Sequence, residues 1–164
     1  MQPSRKKVTP HPTFPAVFSL PLKALPAFVH NRVLVTALNK IFSSELNAGE
    51  LDFLQHKLIH IAVEDTGIEY RLTLHKNRLT AGNKAQTPDL FLKGSLYDYM
   101  LLASRREDAD ALFFNRQLKM QGDTELGLYV KNFLDGLDLD SHKASVYLEA
   151  LLQKSLPVYE RLFG

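Results

Sequence analysis

The stretch FFNRQLKMQGDTELGLYVKNFLD, Phe113 to Asp135, decides the fold class, because its hydrophobic period changes at a single corner. Leu118 and Met120 alternate with Gln117, Lys119 and Gln121, the period-two pattern of a strand with one buried face. Gly122 follows, able to take backbone angles closed to other residues, and Asp123 or Thr124 offers an oxygen to the first free N–H groups of a helix. Beyond the corner Leu126, Val130, Phe133 and Leu134 recur at helical spacing, so the helix lays one apolar stripe back over the sheet. Gly127 stands inside that helix, at a cost of about 1 kcal/mol relative to alanine. It marks a close approach, by another helix or by a bound ligand.

Working outward, Lys57 to Val63 (KLIHIAV) reads as a strand, Glu64 to Gly67 as a turn, and Ile68 to His75 (IEYRLTLH) as its antiparallel partner. In that partner Ile68, Tyr70, Leu72 and Leu74 face inward, while Glu69, Arg71, Thr73 and His75 face water. Lys76-Asn77 predicts a tight turn into Arg78 to Ala81, and Pro88 opens a further strand with Leu90 and Leu92 on one side. Ser95 caps a helix on which Leu96, Tyr99, Met100 and Ala103 share a face, and a second short helix covers Glu107 to Phe114. After Asp135 a connector leads to a last helix, capped by Asp140 or Ser141, with Leu148, Leu152 and Tyr159 on its apolar face. This order predicts an α+β domain: a mainly antiparallel sheet of about five strands, covered on one face by helices.

The N-terminal part differs in charge from the rest. From Met1 to Ser44 there are six basic residues and no acidic one, a charge of +6, which leaves −4 beyond it and +2 for the 164-residue chain. Residues 1–26 read as a basic, proline-punctuated flexible leader, 27–46 as an amphipathic helix and 47–164 as the folded domain. Pro26 opens the helix; Phe28, Leu34, Leu38, Ile41 and Phe42 fall on one face, and Asn31, Arg32, Asn39 and Lys40 on the other. That stripe docks on the domain or lies on a membrane. Attraction of the basic leader to anionic head groups makes Arg5, Lys6, Lys7, Phe14, Phe18, Lys23, Phe28 and Arg32 the membrane-contact candidates. The uncharged run Val8 to Leu22 is interrupted by Pro10, Pro12, Pro15 and Pro21 and does not read as a membrane span.

Motifs that carry chemistry are scarce. The chain has no cysteine, which excludes disulfides, thiolate metal ligation and iron–sulfur ligation by this chain. His56 and His60 are four apart, but the strand beginning between them separates their side chains, so no metal site is read there. Acidic residues at Glu107, Asp108 and Asp110, and at Asp135, Asp138 and Asp140, read as helix-end and connector chemistry. Arg105-Arg106 reads as a solvated helix end, or as a binding point for a phosphate or an acidic partner. No phosphate loop, nucleophile elbow or dinucleotide fingerprint is present, and the net charge does not argue for nucleic acid. No catalytic residue, cofactor or metal is therefore assigned.

The phrase LKMQGDTELGLYVKNFLD resembles the C-terminal half of sterol carrier protein 2 (SCP2)-like lipid-binding domains, and ALFFNRQLKMQGDTELGLYVKNFLD resembles the bacterial UbiT subgroup of that family. The resemblance spans about Leu38 to Phe163. It implies an SCP2-like fold with an apolar tunnel between sheet and helices, and Leu72, Leu74, Leu90, Leu92, Tyr99, Phe113, Leu118, Met120, Val130, Phe133, Leu148 and Leu152 are the tunnel candidates. It further implies a non-catalytic accessory role in oxygen-independent ubiquinone biosynthesis, at the cytoplasmic side of the inner membrane. The ligand would be an isoprenoid quinone precursor or a phospholipid, and the partners UbiU and UbiV-type hydroxylation factors. A general phospholipid or fatty-acid carrier, or a structural adaptor, is the alternative reading.

Overall fold

Alternating strands with one apolar face must pair and then be covered, and the structure shows how. The computed structural model describes residues 12, 27–137, 153–154 and 156–162, with the backbone alone for 27–30. Strands β1 (Ile59–Val63), β2 (Ile68–His75), β3 (Arg78–Ala81), β4 (Leu90–Gly94) and β5 (Lys119–Gly122) form one sheet in the order β3-β2-β1-β4-β5. The helices are α1 (Ala27–Ile41), α2 (Ser43–Ala48), α3 (Leu96–Ala103), α4 (Ala109–Phe114) and α5 (Thr124–Gly136), with a 3-10 turn at Asp52–Leu54. Three strand pairs are antiparallel; β1 and β4 alone run parallel.

The register collects the apolar side chains on one face. Ile59 lies opposite Leu72 on one side and Leu90 on the other, and Ile61 opposite Tyr70 and Leu92. Leu74 pairs with Leu79, and Leu92 with Met120. Residues directly opposite share a face, so an apolar band runs across all five strands. Helix α1 packs over β2 and β3, and α5 lies against β5 and the 3-10 turn.

The corner works as its residue types require. Gly122 has φ +122°, and a Cβ there would stand 2.3 Å from the Asp89 carbonyl oxygen. Of the two capping alternatives it is Asp123 whose carboxylate accepts from the Leu126 N–H, at 3.0 Å. Lys57 Nζ donates to the same carboxylate at 3.0 Å; the Leu126 N–H and then Lys57 hold Asp123 below its ordinary pKa range, and Asp123 holds Lys57 above its own. Ser95 and Asp98 form a reciprocal capping box on α3, and Asp108 caps α4.

Several expectations are corrected. The helix expected over 27–46 is broken at Phe42 into α1 and α2, the first strand begins at Ile59 and not Lys57, and α4 begins at Ala109. Asn39, placed on the solvent face by periodicity, turns inward: its amide donates to the Leu79 carbonyl at 2.8 Å and accepts the Leu79 N–H at 2.9 Å. It satisfies the backbone of edge strand β3 and ties α1 to the sheet. On α3 the buried side chains are Tyr97, Asp98 and Leu101, whereas Ala103 is exposed. The helix is apolar nearly all round, so its periodicity did not single out the face that packs. Arg105 and Arg106 are not a free cationic patch, since Arg105 donates to the Leu137 carbonyl and Arg106 pairs with Glu160 at 3.3 Å. The close approach at Gly127 is made by a strand: a Cβ there would meet Met120 Sδ of β5 at 2.4 Å.

Candidate functional site

The apolar band and the helices over it enclose two groups of buried side chains. One joins Leu46, Leu51, Leu54, Ile59, Leu74, Leu79, Leu90, Leu92, Leu126 and Val130, with Ile61, Met120, Phe133 and Phe42 packed half-buried against it. The other joins Tyr97, Leu101, Leu112, Leu118, Leu156 and Tyr159. Phe113 packs against both and bridges them.

The tunnel candidates therefore divide. Leu74, Leu90, Leu92 and Val130 belong to the first group, with Met120, Phe133 and Phe113 at its margin. Leu118 belongs to the second, with Tyr99 and Phe113 beside it. Leu72 is buried on the same sheet face, opposite Ile59 and Ala81. Leu148 and Leu152 lie outside the described residues. Ile61 was missed as a candidate; its position opposite inward-facing Tyr70 is the register signal that marks it. Phe42 and Phe53 were missed because neither lies in a strand or in the helix of the corner motif.

Two phenols, Tyr99 and Tyr70, border the apolar region. Tyr99 donates its hydroxyl to the Ala62 carbonyl at 3.2 Å, and burial pushes its pKa well up. Desolvation also raises Tyr70. Both are neutral near pH 7, so they offer hydrogen bonds without charge. Such a face can hold an apolar chain: removal of apolar surface from water contributes about 25 cal/mol per Å2.

The opposite face of the sheet is polar. His60 sits there with its Nε2 3.3 Å from a Glu69 carboxylate oxygen and its ring edge-on to Phe91. His56 lies in the preceding turn with φ +60° and is exposed. Among the described residues no three His, Cys, Asp or Glu side chains gather as a metal site.

Of the membrane-contact candidates, Arg32 is exposed on α1. Phe28 is within α1 but its side chain is not described, and Arg5, Lys6, Lys7, Phe14, Phe18 and Lys23 lie outside the described residues. Among the described residues no helix is long and apolar enough to cross a membrane.

A five-stranded mixed sheet, its apolar face under helices and its last strand turned by Gly122-Asp123 into α5, defines an α+β class of fold. The chain belongs to the SCP-2 sterol transfer family, whose pattern matches residues 35–135. It is 36% identical over 126 residues to the ubiquinone biosynthesis accessory factor UbiT of Escherichia coli K12, covering 77% of this chain and 72% of the relative. The same figures hold for UbiT of Escherichia coli O157:H7. Among solved structures, the UbiJ-SCP2 ubiquinone synthesis protein shares the fold with a TM-score of 0.54 at 17% identity, over 65% of this chain and 94% of that one.

Proposed function

We propose that this protein is a non-catalytic, lipid-binding accessory factor of ubiquinone biosynthesis, which holds the apolar tail of a prenylated quinone precursor against the helix-covered face of its sheet. The observation that carries this reading is the apolar band Ile59, Leu72 and Leu90 beside Ile61, Tyr70 and Leu92, placed under helices and free of charged side chains in its register. The likeness to UbiT supports the pathway. The tail site comprises the tunnel candidates above, and the oxygen-independent chemistry belongs to partners of the UbiU and UbiV type. The basic leader and α1 face the anionic inner membrane from the cytoplasm, where such precursors reside.

Mass spectrometry of lipids extracted from gently purified full-length protein tests this, beside a variant lacking residues 1–26. Prenylated quinone precursors should be enriched over matched membrane controls, and deletion of the gene should lower quinone only during growth without oxygen. Recovery of bulk phospholipid alone would favour a general carrier, and recovery of no lipid would refute the reading.

A further inference from the structure

The two edges of the sheet are finished differently. On β3 the Asn39 amide holds both the N–H and the C=O of Leu79, so that edge is closed from within the chain. On β5 the edge is open. The Asp123 N–H donates to the Asp89 carbonyl, and these two residues lie opposite each other in the register that sets Leu90 against Gly122. Hydrogen-bonded and non-bonded pairs alternate along an antiparallel ladder. Gln121 and Lys119 therefore bond back to Phe91 and Lys93 of β4, whereas the N–H and C=O of Met120 point out of the sheet. Among the described residues no loop, cap or side-chain hydrogen bond reaches them, and Lys119, Gln121 and Gly122 are exposed.

The helix layer beside that edge carries exposed apolar side chains. On α5, Gly127 faces Met120 of β5, while Tyr129 stacks on Phe53, whose 3-10 turn packs beside β2 nearer the middle of the sheet. Lys131, one turn on from Gly127 and Leu128, reaches Asp110 of α4, so α4 lies on the edge side of α5. The two helices run antiparallel, because the Ala109 N–H at the start of α4 donates to Asp135 near the end of α5 at 3.1 Å. Phe114, one turn after Asp110, thus falls beside Leu128, one turn before Lys131. Phe114 is 88% and Leu128 55% exposed, and neighbouring apolar side chains of this size on a surface mark a contact with another molecule.

We propose that β5 pairs antiparallel with β5 of a second copy of this chain, across a two-fold axis at Met120, and so joins the two sheets edge to edge. The strand is self-complementary in that register. Met120 exchanges both of its outward hydrogen bonds with Met120 of the second copy, and Lys119 falls opposite Gln121 at two symmetric points, so no like charges face each other. A lysine in an edge strand ordinarily guards it; here Lys119 is held by Glu64 of its own chain at 3.2 Å and meets a neutral amide across the axis. A two-fold axis normal to the sheet sets both helix layers on one side, where Phe114 and Leu128 of each copy turn toward those of the other. The apolar bands join too, since Met120, opposite Leu92, ends the band in each copy.

Sedimentation velocity of the full-length protein over about 1 to 200 µM should show a reversible change from one chain to two. Gln121→Lys sets a second cation opposite Lys119 at both points and should raise the dimer Kd about tenfold, whereas Gln121→Glu sets an anion there and should lower it about threefold or more. Lys119→Glu combined with Gln121→Lys should bring the Kd back to about that of the wild type. In the unsubstituted protein, NMR amide exchange should find Met120 fast in dilute solution and protected in the dimer, with Gln121 protected in both. A single chain at every concentration would overturn the proposal and leave the edge to an extended segment of another protein. A dimer whose Met120 amide still exchanges freely, or whose Kd does not rise from Glu through Gln to Lys at position 121, would overturn the β5 pairing. Protection of Met120 in the single chain would reveal a partner within the chain and overturn it as well. The lipid-binding reading stands or falls separately, on the lipids recovered.

Discussion

Replacing Gly122 by alanine tests the corner on which the fold turns. At φ +122° an L-residue is strained, and a backbone held in such a region costs about 1–3 kcal/mol. The added Cβ would also lie 2.3 Å from the Asp89 carbonyl oxygen and 3.2 Å from Leu90 Cα. Both are backbone atoms, so no rotamer relieves the clash. Relief requires parting β4 from β5, where Leu90 opposes Gly122 and the Asp123 N–H donates to that same Asp89 carbonyl at 2.8 Å. Overpacking of this kind costs about 1–3 kcal/mol more. A loss near 3 kcal/mol corresponds to a fall in Tm of about 6–12 °C for a chain of this length. Gly127→Ala is the matched control, because its Cβ meets the movable thioether of Met120, and alanine gains about 1 kcal/mol in helix propensity. It should stay within about 1 kcal/mol of the wild type. Urea unfolding followed by far-ultraviolet circular dichroism, with unchanged m-values, gives both numbers. A Gly122→Ala protein within about 0.5 kcal/mol of the wild type, or less damaged than Gly127→Ala, would refute the reasoning.

Two further outcomes follow from the contacts. Asn39→Ala removes both hydrogen bonds to the Leu79 backbone, so stability should fall by about 2 kcal/mol and the Leu79 amide should exchange faster. Slow exchange there in the variant would show that α1 docks by other means. Burial, reinforced by Glu160, pushes Tyr97 up to about 12, and burial near Asp65 and Asp98 pushes Tyr159 up to about 12. A phenol whose folded pKa lies above its unfolded 10 binds its proton more tightly when folded, so its stabilisation is intact below pH 10 and lost as pH rises through about 12. The stacked pair, with rings 5.8 Å apart, joins 156–162 to α3, so near-ultraviolet circular dichroism of the tyrosines should hold to pH 10 and collapse above it. Ionisation of both near pH 10 with the signal retained would contradict this.

Much of the fold was legible locally. Strict alternation in IEYRLTLH predicts the bounds of β2, and the Lys76-Asn77 turn places β3, because each signal lies within a few residues of its effect. The same holds for the Gly122-Asp123 corner and the Ser95 cap, where one side chain meets the nearest free backbone groups. The candidate site was legible in part. Leu74, Leu90, Leu92 and Val130 come together because inward-facing positions on strand and helix must meet in a core. Phe53, by contrast, sits in a 3-10 turn, which has no extended period to reveal which way a ring points.

The amino-acid sequence by itself determined the five strands and the faces they present, the Ser95 cap and the Gly122-Asp123 corner, since these depend on neighbours along the chain, but not the break of the first helix at Phe42 or the 3-10 turn at Asp52–Leu54. Only the tertiary structure decided that β4 joins β1 in parallel and so completes the band from Ile59 to Leu90. It also turned Asn39 inward against a strand forty residues away, and it chose Tyr97 and Leu101 as the packing face of α3. Periodicity measures how often apolar residues recur along the chain. It carries no record of which distant group lies within reach, a backbone partner in the first two cases and the apolar side chains Leu112, Leu118 and Leu156 in the third.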